Sequence, residues 1–218
     1  MSKENMLVEF VDPFLPPPLG FARYTGDIRH IEELVRKLEY KPNVENSITT
    51  DTYLLDRPEF SDLKQYISDF IHVYTERVFK SRQQIEIKQS WCNWNLSGES
   101  HPKHIHPNSY LSGVMFIKSD ENSAPLMIEN HLRPYYLYVD LWNSKEHEEN
   151  KQFPPDKYSS LGNSAIPIPP IEGNIVLFPS PTPHLVPQNP SSKDRLTLAF
   201  NTFPKLPFGS EGDATYVY

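Results

Sequence analysis

Three histidines crowd one short stretch of this 218-residue chain: His101, His104 and His106, just ahead of an apolar run at 110–118. On an extended backbone, residues two apart project to the same side, so His104-Ile105-His106 presents two imidazoles to one ion. Another histidine, His184, follows a glycine turn at Gly173, an apolar run at 174–178 and a proline-rich bend at 179–183. In a double-stranded β-helix such a bend returns a third imidazole to the mouth of the barrel, opposite the first pair. Three protein ligands with open positions make a catalytic-type metal site. His104, His106 and His184 are therefore the candidate metal ligands and catalytic centre, although each taken alone also fits an ordinary loop histidine.

A second feature lies eleven residues beyond His184, where Arg195 opens the strand-like run 195–203. Alternation puts Arg195, Thr197, Ala199 and Asn201 on one face and Leu196, Leu198 and Phe200 on the other. A guanidinium entering a barrel needs a partner. A ligand carboxylate gripped by its two-nitrogen fork, with help from the Thr197 hydroxyl, would satisfy it; so would a structural ion pair with one of the 28 acidic residues.

Elements able to position these residues are legible along the chain. Asp27 caps a helix whose Ile28, Ile31, Leu34, Val35 and Leu38 recur at helical spacing. A longer amphipathic helix runs from about Pro58 to Lys80, with Leu63, Tyr66, Ile67, Phe70, Ile71, Tyr74 and Val78 on one stripe. After Arg82 the period becomes alternating. Residues 85–96 read as a strand with Trp91, Asn93 and Asn95 on one face and Cys92 and Trp94 on the other. Residues 6–10, 110–118, 126–129, 174–178 and 195–203 are further strands, and Pro16-Pro17-Pro18 reads as an extended arm. The polar stretch 143–163 lacks periodicity and has the length of a lid over a binding site. The sum is an α+β fold: a double-stranded β-helix, or distorted jelly roll, flanked by two N-terminal helices. One domain spans 1–218, with an arm and helices in 1–82 and a catalytic β-core in 83–205.

Composition excludes several function classes. Hydrophobic residues at 38% and aromatics at 12% argue for a folded chain, and a net charge of −7 disfavours nucleic acid and anionic lipid as partners. A single cysteine, Cys92, forbids an internal disulfide or a multi-cysteine cluster. No apolar run has the length of a signal peptide or a membrane span, so the expectation is a cytoplasmic protein without a membrane partner.

Taken together, His104-Ile105-His106, His184 and Arg195-Leu196-Thr197 resemble the Fe(II)- and 2-oxoglutarate-dependent dioxygenase superfamily. Its signature is an H-x-D/E pair, a distal histidine and a basic residue about ten positions later. The stretches 104–114 and 177–184 resemble an uncharacterised oxygenase group carried by bacteria and phages. The resemblance covers about 90–203 and implies Fe(II) on the three histidines, 2-oxoglutarate as co-substrate on Arg195 and Thr197, O2, and hydroxylation of a substrate, while Trp91, Trp94, Tyr110 and the Tyr135-Tyr136 pair are of the type that lines a groove for a peptide or small molecule. Asn93-Trp94-Asn95-Leu96-Ser97-Gly98 is also similar to the Asn-x-Tyr-x-x-Gly element of the nucleic-acid demethylase branch, which implies that Asn93 and Asn95 reach the co-substrate.

His106 departs from the pattern, which expects a carboxylate. Replacing it by a neutral imidazole raises the charge of the metal site by one unit. A three-histidine ferrous site, a two-histidine site with an open position and a metal site without oxygenase chemistry all follow, with Glu99 and His101 as nearby substitutes. Gly98-x5-His104-x-His106 and 173–184 also resemble the two motifs of a cupin, a metal-dependent enzyme or binding protein that needs no 2-oxoglutarate. A non-catalytic jelly-roll interaction protein is the third reading.

Overall fold

The Asp27 carboxylate accepts hydrogen bonds from the Arg29 and His30 amides at 3.0 Å each, and the helix it caps is α1 (Ile28–Arg36). The structure, a computed structural model, describes residues 9–10, 17–129, 165–208 and 212, so the Tyr135-Tyr136 pair and the polar stretch 143–163 lie outside the described residues. Strands β1 (Glu9–Phe10) and β2 (Gly20–Arg23) precede α1, and β3 (Tyr40–Pro42) and β4 (Ser47–Thr49) follow it. Single 3-10 turns at Leu54–Asp56 and Pro58–Phe60 lead into α2 (Ser61–Phe79). The β-rich remainder comprises β5 (Ile85–Asn95), β6 (His101–His104), β7 (Leu111–Lys118), β8 (Leu126–Glu129), β9 (Ala165–Ile168), β10 (Asn174–Pro179), β11 (His184–Val186) and β12 (Arg195–Pro204).

These strands form two antiparallel sheets, one ordered β1-β2-β10-β7-β12-β5-β4-β3 and the other β6-β11-β8-β9. From β5 onward, β5 pairs with β12, β6 with β11, β7 with β10 and β8 with β9. That is one long antiparallel hairpin wound on itself, its steps alternating between the sheets, as in a double-stranded β-helix. Before β5 the structure adds β2, β3 and β4 to the strand at 6–10, the arm and the helices expected there. Strands β1 to β4 lengthen the larger sheet at both ends.

Pleating divides the side chains of the larger sheet between two cores. Leu196, Leu198 and Phe200 of β12, Cys92 of β5, and Met115 and Ile117 of β7 turn outward into a core completed by Ile31 and Val35 of α1 and by Leu63, Ile67, Phe70, Ile71 and Tyr74 of α2. Each fully buried Leu, Ile or Phe here contributes about 1.5–3 kcal/mol. Gly113 is required where β7 passes beneath Phe200, because a Cβ there would lie 2.1 Å from the ring. The other face of the same strands carries Trp91, Val114, Phe116, Val176, Phe178 and Ala199, which meet Leu126, Ile128, Ile168 and Val186 of the smaller sheet. Among the described residues, no helix is long and apolar enough to cross a membrane.

Candidate active site

Between the two sheets lies a cavity lined by Trp91, Asn93, Asn95, His101, His104, His106, Val114, Leu126, His184, Val186, Arg195, Thr197 and Ala199. Its empty space, including the open mouth, is about 390 Å³. All seven residues singled out by the sequence for metal and co-substrate line it, and none of its lining residues is a carboxylate.

At one end the three candidate ligand histidines converge, one ring nitrogen from each lying within 4.8 Å of the other two. Strand pairing brings two of them together, since His184 of β11 is directly opposite His104 of β6. His106 lies two residues past the end of β6, and its amide donates to the Ser180 carbonyl at 3.1 Å. The Nδ1 of His104 faces the Pro102 carbonyl at 2.8 Å and that of His184 faces the Thr182 carbonyl at 2.9 Å. A carbonyl only accepts, so each Nδ1 donates, and Nε2 is the ring nitrogen left to face a metal. Burial, reinforced by His184, His104 and His101, pushes His106 down to about 3. Burial and the neighbouring His104 push His184 down to about 4, against the opposing Thr182 carbonyl. These two rings are thus neutral at neutral pH, the form that ligates a metal.

At the other end is Arg195, 1% exposed and among the largest fully buried side chains. Its Nε donates to the Ala124 carbonyl at 3.1 Å, and its guanidinium lies 5.4 Å from the centre of the Phe116 ring. One terminal nitrogen is buried with no hydrogen-bond partner, and among the described residues no acidic side chain pairs with the group. Burial lowers its pKa to about 10, so it remains charged. The structural ion pair considered from sequence is absent among the described residues, and a buried unpaired charge is costly unless a ligand completes it.

Cross-strand register sets the wall between the ends. Arg195 lies opposite Asn95, Thr197 opposite Asn93, and Ala199 opposite Trp91. The two asparagines differ. Asn95 is engaged, its amide nitrogen donating to the Ser100 carbonyl at 3.1 Å and its oxygen accepting from Asn46 at 3.5 Å. Asn93 has a buried side-chain oxygen with no partner.

His101 is in the cavity as well, although strand parity places it opposite His104. Two steps along β11, from His184 to Val186, span three along β6, from His104 to His101. This bulge, which contains Pro102, rotates His101 onto the inward face, where its ring stacks on His104 at 4.4 Å and 16°. Sequence reasoning named His101 only as a substitute ligand; it missed Leu126 and Val186, because they sit on strands of three or four residues in which alternation has little room to register. Val114 was within reach, since its parity on β7 follows from Gly113 and Met115.

A family model described as "Putative 2OG-Fe(II) oxygenase" matches residues 89–201. No curated protein matches the sequence. Among solved structures, the chain is similar to an oxidoreductase of the 2OG-Fe(II) oxygenase family from Burkholderia pseudomallei, with 12% identity over 84% of this chain and 83% of that one and a TM-score of 0.58. It is similar to HygX from Streptomyces hygroscopicus with nickel, 2-oxoglutarate and hygromycin B bound, at 11% identity, 86% and 83% coverage and a TM-score of 0.57. A prolyl hydroxylase from Trichoplax adhaerens, in complex with a hypoxia inducible factor peptide fragment, matches at 14% identity, 85% and 83% coverage and a TM-score of 0.55.

Proposed function

The chain belongs to the 2OG-Fe(II) oxygenase family, and from that premise we propose that it is a dioxygenase that hydroxylates a small-molecule or peptide substrate in the cytoplasm, with residues 1–218 acting as one domain. The observation that carries the proposal is the two-ended cavity, with convergent imidazoles at one end and a buried, incompletely paired guanidinium at the other.

The residues present fit both iron(II) and 2-oxoglutarate. His104, His106 and His184 would hold the metal through neutral imidazoles, with the Pro102 and Thr182 carbonyls fixing two of the rings. A neutral triad leaves a divalent ion's charge uncompensated by the protein, and Arg195 adds another positive charge. A dicarboxylate answers both. Arg195 would take the far carboxylate through its free terminal nitrogen, assisted by Thr197 and by Asn93, whose amide can be turned to present its nitrogen. Asn95, already engaged, would hold the Ser100 backbone in place and touch the co-substrate little.

When bound, iron and 2-oxoglutarate supply the oxidising chemistry: O2 converts the co-substrate to succinate and CO2, and the second oxygen atom becomes a hydroxyl on the substrate. The chain's own contribution is geometry and dryness. Val114, Leu126, Val186 and Ala199 give that space an apolar wall that disfavours water. Substrate class rests on the relatives, one holding hygromycin B and another a peptide fragment.

Anaerobic titration tests the proposal. Adding Fe(II) and then 2-oxoglutarate should produce a visible metal-to-ligand charge-transfer band that neither gives alone. A protein that binds Fe(II) but gives no band and no 2-oxoglutarate binding would overturn it.

A further inference from the structure

His101 lines the cavity beside the ligand cluster but is not a member of it. It reaches the inward face only through the bulge in β6, and its ring lies flat against His104 at 4.4 Å. Stacking uses the face of the ring and leaves its nitrogens at the edge. Neither nitrogen has a hydrogen-bond partner among the described residues, whereas the adjacent His104 and His184 each have a carbonyl on Nδ1. A partly buried imidazole with no partner forfeits a hydrogen bond that an apolar side chain would never have needed. His101 lies within electrostatic reach of both ends of the cavity, His104 and His184 at one and Arg195 at the other.

We infer that His101 is a positioning residue for the co-substrate, its ring N–H donating to a carboxylate oxygen of the 2-oxoglutarate that spans the two ends. The inference rests on the dioxygenase reading above. Stacking on His104 fixes the ring plane, so the donor is held in place before the co-substrate arrives and little rotamer freedom is lost on binding. The same contact makes His101 a brace for a metal ligand, and the two contributions separate by substitution.

His101→Phe keeps a flat ring against His104 and removes both nitrogens. His101→Gln restores a donor without the ring. In anaerobic titrations of full-length protein, the Phe variant should bind Fe(II) within about threefold of the parent, while its 2-oxoglutarate dissociation constant rises on the order of tenfold, as expected for a lost hydrogen bond to a charged group. The Gln variant should regain part of that loss. Thermal unfolding of both metal-free variants checks that they fold. A Phe variant that binds 2-oxoglutarate as tightly as the parent overturns the inference. So does one that loses Fe(II) and 2-oxoglutarate together, which would make His101 a support for the metal alone. A parent that takes up Fe(II) yet never binds 2-oxoglutarate overturns the dioxygenase reading itself, a result distinct from either.

Discussion

The two faces of β5 and β12 are built from alternate residues of the same strands and obey opposite rules. On the outer face Cys92, Leu196, Leu198 and Phe200 are fully buried in the core that the sheet shares with α1 and α2, and among the described residues the unpartnered polar atom of this face is the indole nitrogen of Trp94, beside the Asp194 carboxylate. On the inner face Asn93 and Arg195 are also buried, yet each keeps a polar atom without a partner. The outer face stabilises the fold, and the inner one gives up stability to hold groups that only a ligand completes.

The largest expected effect tests the outer face. Phe200→Ala should cost about 3–5 kcal/mol in chemical denaturation, because the ring is fully buried and rests on Gly113. Its cavity chemistry should survive wherever the variant is folded. A loss below about 1 kcal/mol, well short of the usual range for Phe-to-Ala changes, would mean that this face is not the dry core.

Next comes the inner face. Arg195→Met removes a buried, incompletely paired charge while filling similar space, so its melting temperature should equal or exceed the parent's. Its affinity for 2-oxoglutarate should nevertheless fall at least ~30-fold, the loss typical of removing one member of a desolvated charge pair. Arg195→Lys keeps the charge without the fork and should fall between. A sharp drop in melting temperature for the Met variant would move Arg195 to the structural side of the comparison.

The smallest effect lies at the junction of the two faces. Arg36 of α1 grips Asp194, the residue before Arg195, at 2.7 and 3.2 Å, and its hydrogen bond holds the Asp194 carboxyl below the ordinary carboxylate range despite partial burial. Because that pKa is depressed in the fold, the clamp contributes above the unfolded value of about 3.9 and is lost as pH falls through the folded one. Arg36→Met should therefore cost about 0.2–1 kcal/mol at pH 7, and the difference from the parent should vanish in acid. Denaturation at pH 7 and at a series of lower pH values, continued below the ordinary carboxylate range, would show it.

Much of this division was legible in the sequence. The periodicity of α2 and the alternation of β5 and β12 are carried by long segments, where side-chain pattern and burial agree. They place Arg195, Thr197, Asn93 and Asn95 inward without any knowledge of pairing. Strands β2, β3, β4, β9 and β11 are three or four residues long and owe their existence to the partner strand, so they left little local signal. The bulge at Pro102 is a pairing event between β6 and β11, and parity in β6 alone points His101 the wrong way. The engagement of Asn95 depends on Asn46 and Ser100, contacts fixed by tertiary structure. The cupin and non-catalytic readings give way to the family match over 89–201.

Parallel titrations of the parent, His106→Ala and Arg195→Met with Fe(II) and then 2-oxoglutarate, under anaerobic conditions, test the division of the cavity most directly. His106→Ala should bind Fe(II) far more weakly, whereas Arg195→Met should bind Fe(II) like the parent and fail to develop the charge-transfer band at 2-oxoglutarate concentrations that saturate the parent. If His106→Ala holds the metal as tightly as the parent, or if Arg195→Met loses the metal along with the co-substrate, the two ends do not have the separate tasks assigned to them.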